Sequence, residues 1–427
     1  MNTIKPFVVV VILVLSYECS AAKRSKDNGE LIFAHVIYRH GDRTPIDPYP
    51  TDPWNDPKFW STGWGQLTNI GKQQHFELGK YLRARYDGLI SDHYNREEVF
   101  VRSTDVDRTL MSAMSNLAGL YPPVGDQVWK KDLPWQPIPV HTVPEKLDSV
   151  LASKKYCAAY DDELDRLLHS PEYRKIDAEN AELYKYLTTQ TGRLINNIEG
   201  VERIYNCLFI EELYNKTLPD WTHNVYPDKM INLSTLSFMS YTRTDLLKRL
   251  KTGPLLKEIF LRFKDKIHGK LAPNRSLWIY SAHDTTVANV LNTLGAFKPH
   301  NPPYTACVML ELRKRAGEYF VELYYRADGV TNQLKLELCG DTCPLDKALR
   351  SYAHLLPLDW DRECSTSTRL LGLVGVEGDN ADLFAAIGVV AGAVVIVTML
   401  ATILLLVNRR RIGDQHISRH RYTRIDS

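Results

Sequence analysis

Neither sign of charge is in real excess in this chain. Lysine and arginine number 53, aspartate and glutamate 51, for a formal net charge of +2 over 427 residues. Composition therefore gives no ground for a nucleic-acid-binding surface. Internal repeats and low-complexity tracts are also missing, which excludes a solenoid or a disordered array. Cysteine is sparse, at 7 residues. No second close Cys or His pair stands beside Cys339 and Cys343, so the ligand spacing of a structural zinc site is lacking. Long hydrophobic runs occur only near the two ends.

Those two runs set the expected compartment. Lys5, the apolar run Phe7 to Leu15, and the small residues Ser20, Ala21 and Ala22 follow the order of a secretory signal cleaved after Ala22. The run is short for a retained signal anchor. Leu383 to Val407 carries no charge over 25 residues. As a helix at ~1.5 Å per residue it would reach ~37 Å, enough for a ~30 Å hydrocarbon core. A buried core helix of that length would carry some polar residues. Arg409, Arg410 and Arg411 follow, a basic flank that belongs in the cytoplasm. The expectation is a single-pass type I membrane protein: signal 1–22, lumenal part 23–364, stalk 365–382, transmembrane helix 383–407 and tail 408–427. The tail holds six arginines and two aspartates, suited to anionic lipid headgroups. Tyr422-Thr423-Arg424-Ile425 has the form of a tyrosine-based sorting signal read by adaptor proteins.

Cys19 falls in the signal, leaving Cys157, Cys207, Cys307, Cys339, Cys343 and Cys364. An even set in a secretory context points to disulfides, and six cysteines allow 15 pairings. Cys339 and Cys343 enclose a Gly-Asp-Thr turn and are natural partners. Asn215, Asn232 and Asn274 open Asn-x-Ser/Thr triplets, acceptors for glycans on a lumenal surface.

Within the lumenal part, Leu31 to Tyr38 is a nearly continuous β-rich apolar run, the pattern of a strand buried on both faces. Glu98 to Ser103 and Ser276 to Ser281 repeat it, and helical patterns follow at Gly65 to Arg85, Asp105 to Ala118 and Thr285 to Leu294. Strands alternating with helices predict an α/β fold with a Rossmann-like central sheet flanked by helices. Its core covers about 30–145 and 260–364 and includes the later β-type runs Ala306 to Leu312 and Tyr319 to Tyr325. Residues 146–259 read as a mostly helical cap.

Each charged cluster sits where its strand ends, the edge at which open α/β sheets bind ligands. The first is Arg39-His40-Gly41-Asp42-Arg43-Thr44-Pro45. A histidine between arginines suits attack on phosphorus. The guanidiniums match phosphate oxygens and disfavour the imidazolium, keeping the ring neutral in acid. Without such neighbours only about 3 % of a histidine would be neutral at pH ~5. His40 is the expected nucleophile, and Arg39, Arg43 and Arg102 the expected phosphate clamp. In Ser281-Ala282-His283-Asp284, Asp284 suits a general acid for the leaving alcohol and His283 a further donor to the phosphoryl group. A plain helix cap is the structural alternative for Asp284. His35, His75, His93, His141, His169 and His223 read as satisfied or exposed residues. Two other functional readings stand against this one: a metal-dependent phosphohydrolase using His283 and Asp284, which lacks a full set of spaced ligands, and a non-catalytic membrane glycoprotein on an enzyme-like fold.

Together these motifs resemble the histidine acid phosphatase family, a branch of the histidine phosphatase superfamily. The hallmark Arg-His-Gly-x-Arg-x-Pro matches at every fixed position of residues 39–45, and His-Asp matches at 283 and 284. The likeness continues through Val101 to Ala113, Trp135 to Pro144 and Tyr280 to Thr286, over about 30–364. Within the family the prostatic and lysosomal types are most similar, and the span and tyrosine-bearing tail favour the lysosomal one. The resemblance implies a phosphoglycerate mutase-like core and hydrolysis of phosphate monoesters through a phosphohistidine, with no metal or other cofactor. It places roles on Arg39, His40, Arg43, Arg102, His283 and Asp284. It also implies disulfides Cys157–Cys364, Cys207–Cys307 and Cys339–Cys343, and a homodimer. The expected location is a lysosomal or endosomal membrane, with the cell surface as an alternative.

Overall fold

The computed structural model describes residues 29–340 and 343–365. These all lie in one compact unit. The signal, the stalk beyond Ser365, the Leu383–Val407 run and the Tyr422–Ile425 motif fall outside the described residues. Among the described residues no helix is long and apolar enough to cross a membrane.

A 7-stranded sheet organises the molecule, with order β2-β3-β1-β4-β5-β6 and β7 beside β5. Its strands are β1 (Glu30–Arg39), β2 (Val99–Ser103), β3 (Leu277–Ala282), β4 (Cys307–Arg315), β5 (Glu318–Ala327), β6 (Val330–Leu334) and β7 (Cys343–Pro344). The apolar run of β1 is buried from Phe33 to Arg39, and every residue of β3 is buried. These strands lie parallel, with β3 between β1 and β2. The other half is antiparallel, so the Rossmann-like sheet expected from the alternation of strands and helices is a mixed one. The cause is local. Ala316-Gly317 and Asp328-Gly329 take positive φ at both positions (48° and 87°, 47° and 81°). Such two-residue turns match strand twist and close tight hairpins, leaving no room for a crossover helix.

Helices α1 (Asn69–Arg85) and α2 (Asp107–Leu120) cover one face, where Leu78, Leu82 and Leu117 pack with Val36, Val101 and Ile279. Between α2 and the last parallel strand come α3 (Ala158–Leu168), α4 (Pro171–Glu179), α5 (Ala181–Thr191), α6 (Ile198–Leu213), α7 (Asp228–Ser240) and α8 (Asp245–Lys251). They share a core of their own around Tyr160, Leu187, Val201, Leu208, Met230 and Leu247. The starts are written in the sequence: Ser170, Asn197 and Thr244 each accept a backbone N–H from the first turn of α4, α6 and α8. The other sheet face is covered by α9 (Gly253–Ile267) and α10 (Asp284–Thr293), whose Ile259, Phe263 and Val287 pack with Phe33, Ile37 and Leu310. Two short helices, α11 (Leu345–Ser351) and α12 (Trp360–Ser365), follow β7.

Cys157, at the start of α3, is bonded to Cys364 in α12, and Cys339 to Cys343. The third pairing implied by the family resemblance, Cys207–Cys307, is not made: both thiols are free and buried. Cys207 lies in the helical core on α6, while Cys307 opens β4 opposite Tyr38 in the sheet core. The Cys207 thiol instead donates to Glu211 Oε1 one turn along α6, at 3.1 Å. Asn215, Asn232 and Asn274 are all exposed.

Candidate active site

Three parallel strands end at one level. Arg39 pairs with Ala282 and Ser103 with Ser281. The residues just beyond are stitched across: His40 N–H donates to Ala282 O at 2.9 Å and Thr104 N–H to Ser281 O at 3.0 Å. This alignment brings His40, Thr104 and His283 side by side. Gly41 is required here, since a Cβ would sit 2.4 Å from Gly71 O of α1.

His40 is 1 % exposed. Its Nδ1–H donates to Gly41 O at 2.8 Å, which fixes the tautomer and leaves Nε2 with the lone pair. Burial, then the guanidiniums of Arg39, Arg108 and Arg43, then His283, hold its pKa well below the ordinary histidine value. The ring is therefore neutral in acid. The His283 ring lies edge-on to it, centroids 5.7 Å apart. His283 faces Thr104 Oγ1 at 3.0 Å through Nε2 and accepts from Arg108 Nη2 at 3.4 Å through Nδ1. Burial and Arg108 depress its pKa to about 3, against the pull of Asp284.

Arg39 donates to Asp284 Oδ2 at 2.8 Å and stacks over Tyr304, 4.3 Å from the ring centroid. Arg43 donates to Thr44 O at 3.1 Å and to Asn206 Oδ1 of α6 at 2.9 Å. Asp284 is the first residue of α10 and also accepts the Thr285 N–H at 2.7 Å. Burial works to raise its pKa, but Arg39, Arg43, His283 and that N–H prevail and lower it. Asp284 is thus both a helix-end acceptor and a partner of Arg39.

The third guanidinium is not the one expected from the sequence. Arg102 points away from His40 and pairs with buried Asp148 at 2.7 Å, with Glu258 at 4.0 Å. Strand alternation explains it: Arg102 shares the face of Phe100, which packs against Trp278. Asp148 in turn accepts the N–H groups of Val150 and Leu151 at 2.9 Å each, so Arg102 anchors a loop that lines the cleft. Arg108, in the first turn of α2, takes the place assigned to Arg102. It lines a cleft of about 320 Å³ with His40, Arg43, His283 and Asp284. Burial, Arg43 and Arg39 lower its pKa to about 10, so it remains a cation throughout the acid range. Among the described residues neither Arg43 nor Arg108 has a carboxylate ion-pair partner. Three guanidiniums facing one carboxylate leave two positive charges in excess, the complement of a phosphate dianion.

The sequence held one unread signal for Arg108, a cation in a helix's first turn, which opposes the macrodipole; that signal does not by itself choose Arg108 over Arg102. Asn206 carried no comparable signal. Of the other histidines, His75 is buried and satisfied against Arg39 O at 3.1 Å, whereas His35, buried among Phe33, Phe263 and Tyr280, is neither exposed nor hydrogen-bonded among the described residues.

Residues 30–326 match the family model of the histidine phosphatase superfamily, branch 2. The chain belongs to that superfamily. It is 40 % identical over 343 residues to the prostatic acid phosphatase of Bos taurus, covering 79 % of this chain and 88 % of the relative. It is 33 % identical over 419 residues to the lysosomal acid phosphatase of Xenopus laevis, covering 96 % of this chain and 94 % of the relative. The fold is shared with the Hafnia alvei phytase in its apo form, with a TM-score of 0.61 at 17 % identity over 80 % of this chain and 99 % of that one.

Proposed function

We infer that this member of the superfamily is an acid phosphatase in which His40 is the nucleophile and a phosphohistidine the intermediate. One observation carries the reading: a neutral imidazole with a free Nε2 lies in a cleft with two uncompensated positive charges. The phosphate of a monoester settles among Arg39, Arg43 and Arg108, and His283 becomes a further donor when its Nε2–H exchanges Thr104 for a phosphate oxygen. The Nε2 lone pair attacks phosphorus, the P–O bond to the alcohol breaks, and the leaving oxygen takes a proton from Asp284.

Asp284 is ionised in the empty site, so its proton comes with the substrate. A monoester has a second pKa near ~6 and enters mainly as the monoanion at pH ~5. Its proton passes to Asp284 as the phosphate's negative charge offsets Arg39 and Arg43. In the second half, Asp284 takes a proton from water, which attacks phosphorus and breaks the P–N bond. No metal enters these steps. The metal-dependent and non-catalytic alternatives are not favoured by the family match.

The test is a quench of the lumenal domain during turnover of a 32P-labelled ester, with the label mapped to a residue. Label on His40, and neither label nor turnover in His40→Ala, is the expected result. Label on serine, on aspartate or on no side chain would overturn the assignment.

We further propose a single-pass type I protein of the lysosomal or endosomal membrane, with Leu383–Val407 as the span and Tyr422–Ile425 as the adaptor signal. The similarity to a lysosomal acid phosphatase over 96 % of this chain supports it. The three exposed asparagines Asn215, Asn232 and Asn274 suit glycan attachment in that compartment.

A further inference from the structure

Helix α6 presents two side chains, one turn apart, to a compartment beside the catalytic cleft. Asn206 accepts from Arg43 at 2.9 Å. Glu202, four residues earlier, lies on the same helix face. Both line a second compartment, about 360 Å³, together with Arg43, Tyr241, Asp284 and Thr285. His40 lines the first compartment and not this one, whereas Arg43 and Asp284 line both, so an alcohol protonated by Asp284 has room to lie here. Among the described residues no hydrogen bond or ion pair holds the Glu202 carboxyl. Its neighbour Arg203 is committed to Glu199 at 2.7 Å, and Asp47 across the compartment to Arg193 at 2.8 Å.

We propose that Glu202 is a specificity-determining carboxyl of the leaving-group compartment, placed to meet the hydroxyl groups of a polar alcohol. The proposal rests on the phosphatase reading above. The surroundings suit a polar alcohol, because Asn206, Ser237 and Tyr241 share the wall with Phe238. They also suit a switch in charge. The charged or titratable groups around Glu202 are Arg43 and Asp47 after β1, Glu199, Arg203 and the Cys207 thiol on α6, Tyr241 after α7 and Asp284 on α10. Burial first, then Asp284, pushes the Glu202 pKa up to about 7; Arg43 and Arg203 pull it down and Glu199 adds to the rise. Glu202 is therefore neutral below that pH and an anion beside Asp284 above it.

Three variants and a pH profile test it, with glycerol 2-phosphate and p-nitrophenyl phosphate as substrates. In Glu202→Gln the ratio of kcat/KM at pH 5 to that at pH 8 should fall about tenfold, the factor equal to one pKa unit of lost coupling. Glu202→Asp should restore the neutral-side decline, which a purely structural role would not explain. Glu202→Leu should raise KM for glycerol 2-phosphate several-fold more than for p-nitrophenyl phosphate. A Glu202→Gln profile superimposable on that of the unsubstituted protein overturns the proposal. If the unsubstituted protein turns over through labelled His40 and that profile is unmoved, only this inference falls. If it forms no phosphohistidine, the phosphatase reading falls with it.

Discussion

Arg102 and Arg108 stand six residues apart in one motif, and the structure gives them opposite roles, so replacing each by alanine separates chemistry from stability. Arg108 faces the cleft with no carboxylate partner. Its loss lowers the excess positive charge around the phosphate from two to one. A unit charge ~4 Å from a phosphate oxygen is worth about 4 kcal/mol at an effective dielectric near 20, which predicts a loss on the order of 10³ in kcat/KM for p-nitrophenyl phosphate. Because Arg108 has no ion pair to lose, its melting temperature should hold or rise slightly. Arg102→Ala acts elsewhere. It strips buried Asp148 of its cation, a change that costs about 3–5 kcal/mol when a buried pair is broken. Asp148 keeps its backbone donors, which puts the cost at the lower end, a fall of several degrees in melting temperature. Turnover per folded molecule should drop less than tenfold, through the loop that Asp148 shapes. Steady-state kinetics on both variants, normalised to folded protein by circular dichroism, decides. A folded Arg102→Ala protein that has lost a thousandfold in rate, beside a near-normal Arg108→Ala protein, would refute the assignment and return the clamp to Arg102.

Other outcomes follow from the same structure. Asp284→Asn should slow alkyl phosphates at least tenfold more than p-nitrophenyl phosphate, whose leaving group needs no proton; equal slowing removes Asp284 from the acid role. Glu211 is buried beside Asp52, and burial with that neighbour pushes its pKa up to about 8. A raised carboxyl favours the fold fully below its ordinary pKa and loses that stability as pH rises toward 8, by at most about 1.4 kcal/mol per pH unit. Glu211→Gln should therefore flatten the decline in melting temperature between pH 5 and pH 8, and an unchanged slope would contradict the raised pKa. Denatured, unreduced protein should show two thiols, from Cys207 and Cys307, once Cys19 has left with the signal; none would restore the Cys207–Cys307 bond.

The antiparallel half of the sheet was legible but easy to pass over. Asp328-Gly329 is a strong hairpin signal, and it marks part of the sheet as antiparallel. The cap helices were legible as helices, since Ser170-Pro171, Asn197 and Thr244 announce their starts. Which of their side chains reach the cleft was not. Helical periodicity marks a buried face, and in α6 one stretch serves both the cap core, through Val201 and Leu208, and the cleft, through Glu202 and Asn206.

By itself the sequence determined what short-range connection controls. Arg39, His40 and Arg43 lie within five residues at the end of one buried strand, His283 and Asp284 at the end of another, and both edges face the same way once strands and helices alternate. Only the tertiary structure decided the choice between Arg102 and Arg108, the reach of Asn206 and Glu202 to a site some 160 residues earlier in the chain, and the fate of Cys207. In a strand, neighbouring side chains leave opposite faces, and in a helix the third and fourth neighbours share one. Which face meets the cleft depends on what packs against it, and that partner comes from distant chain.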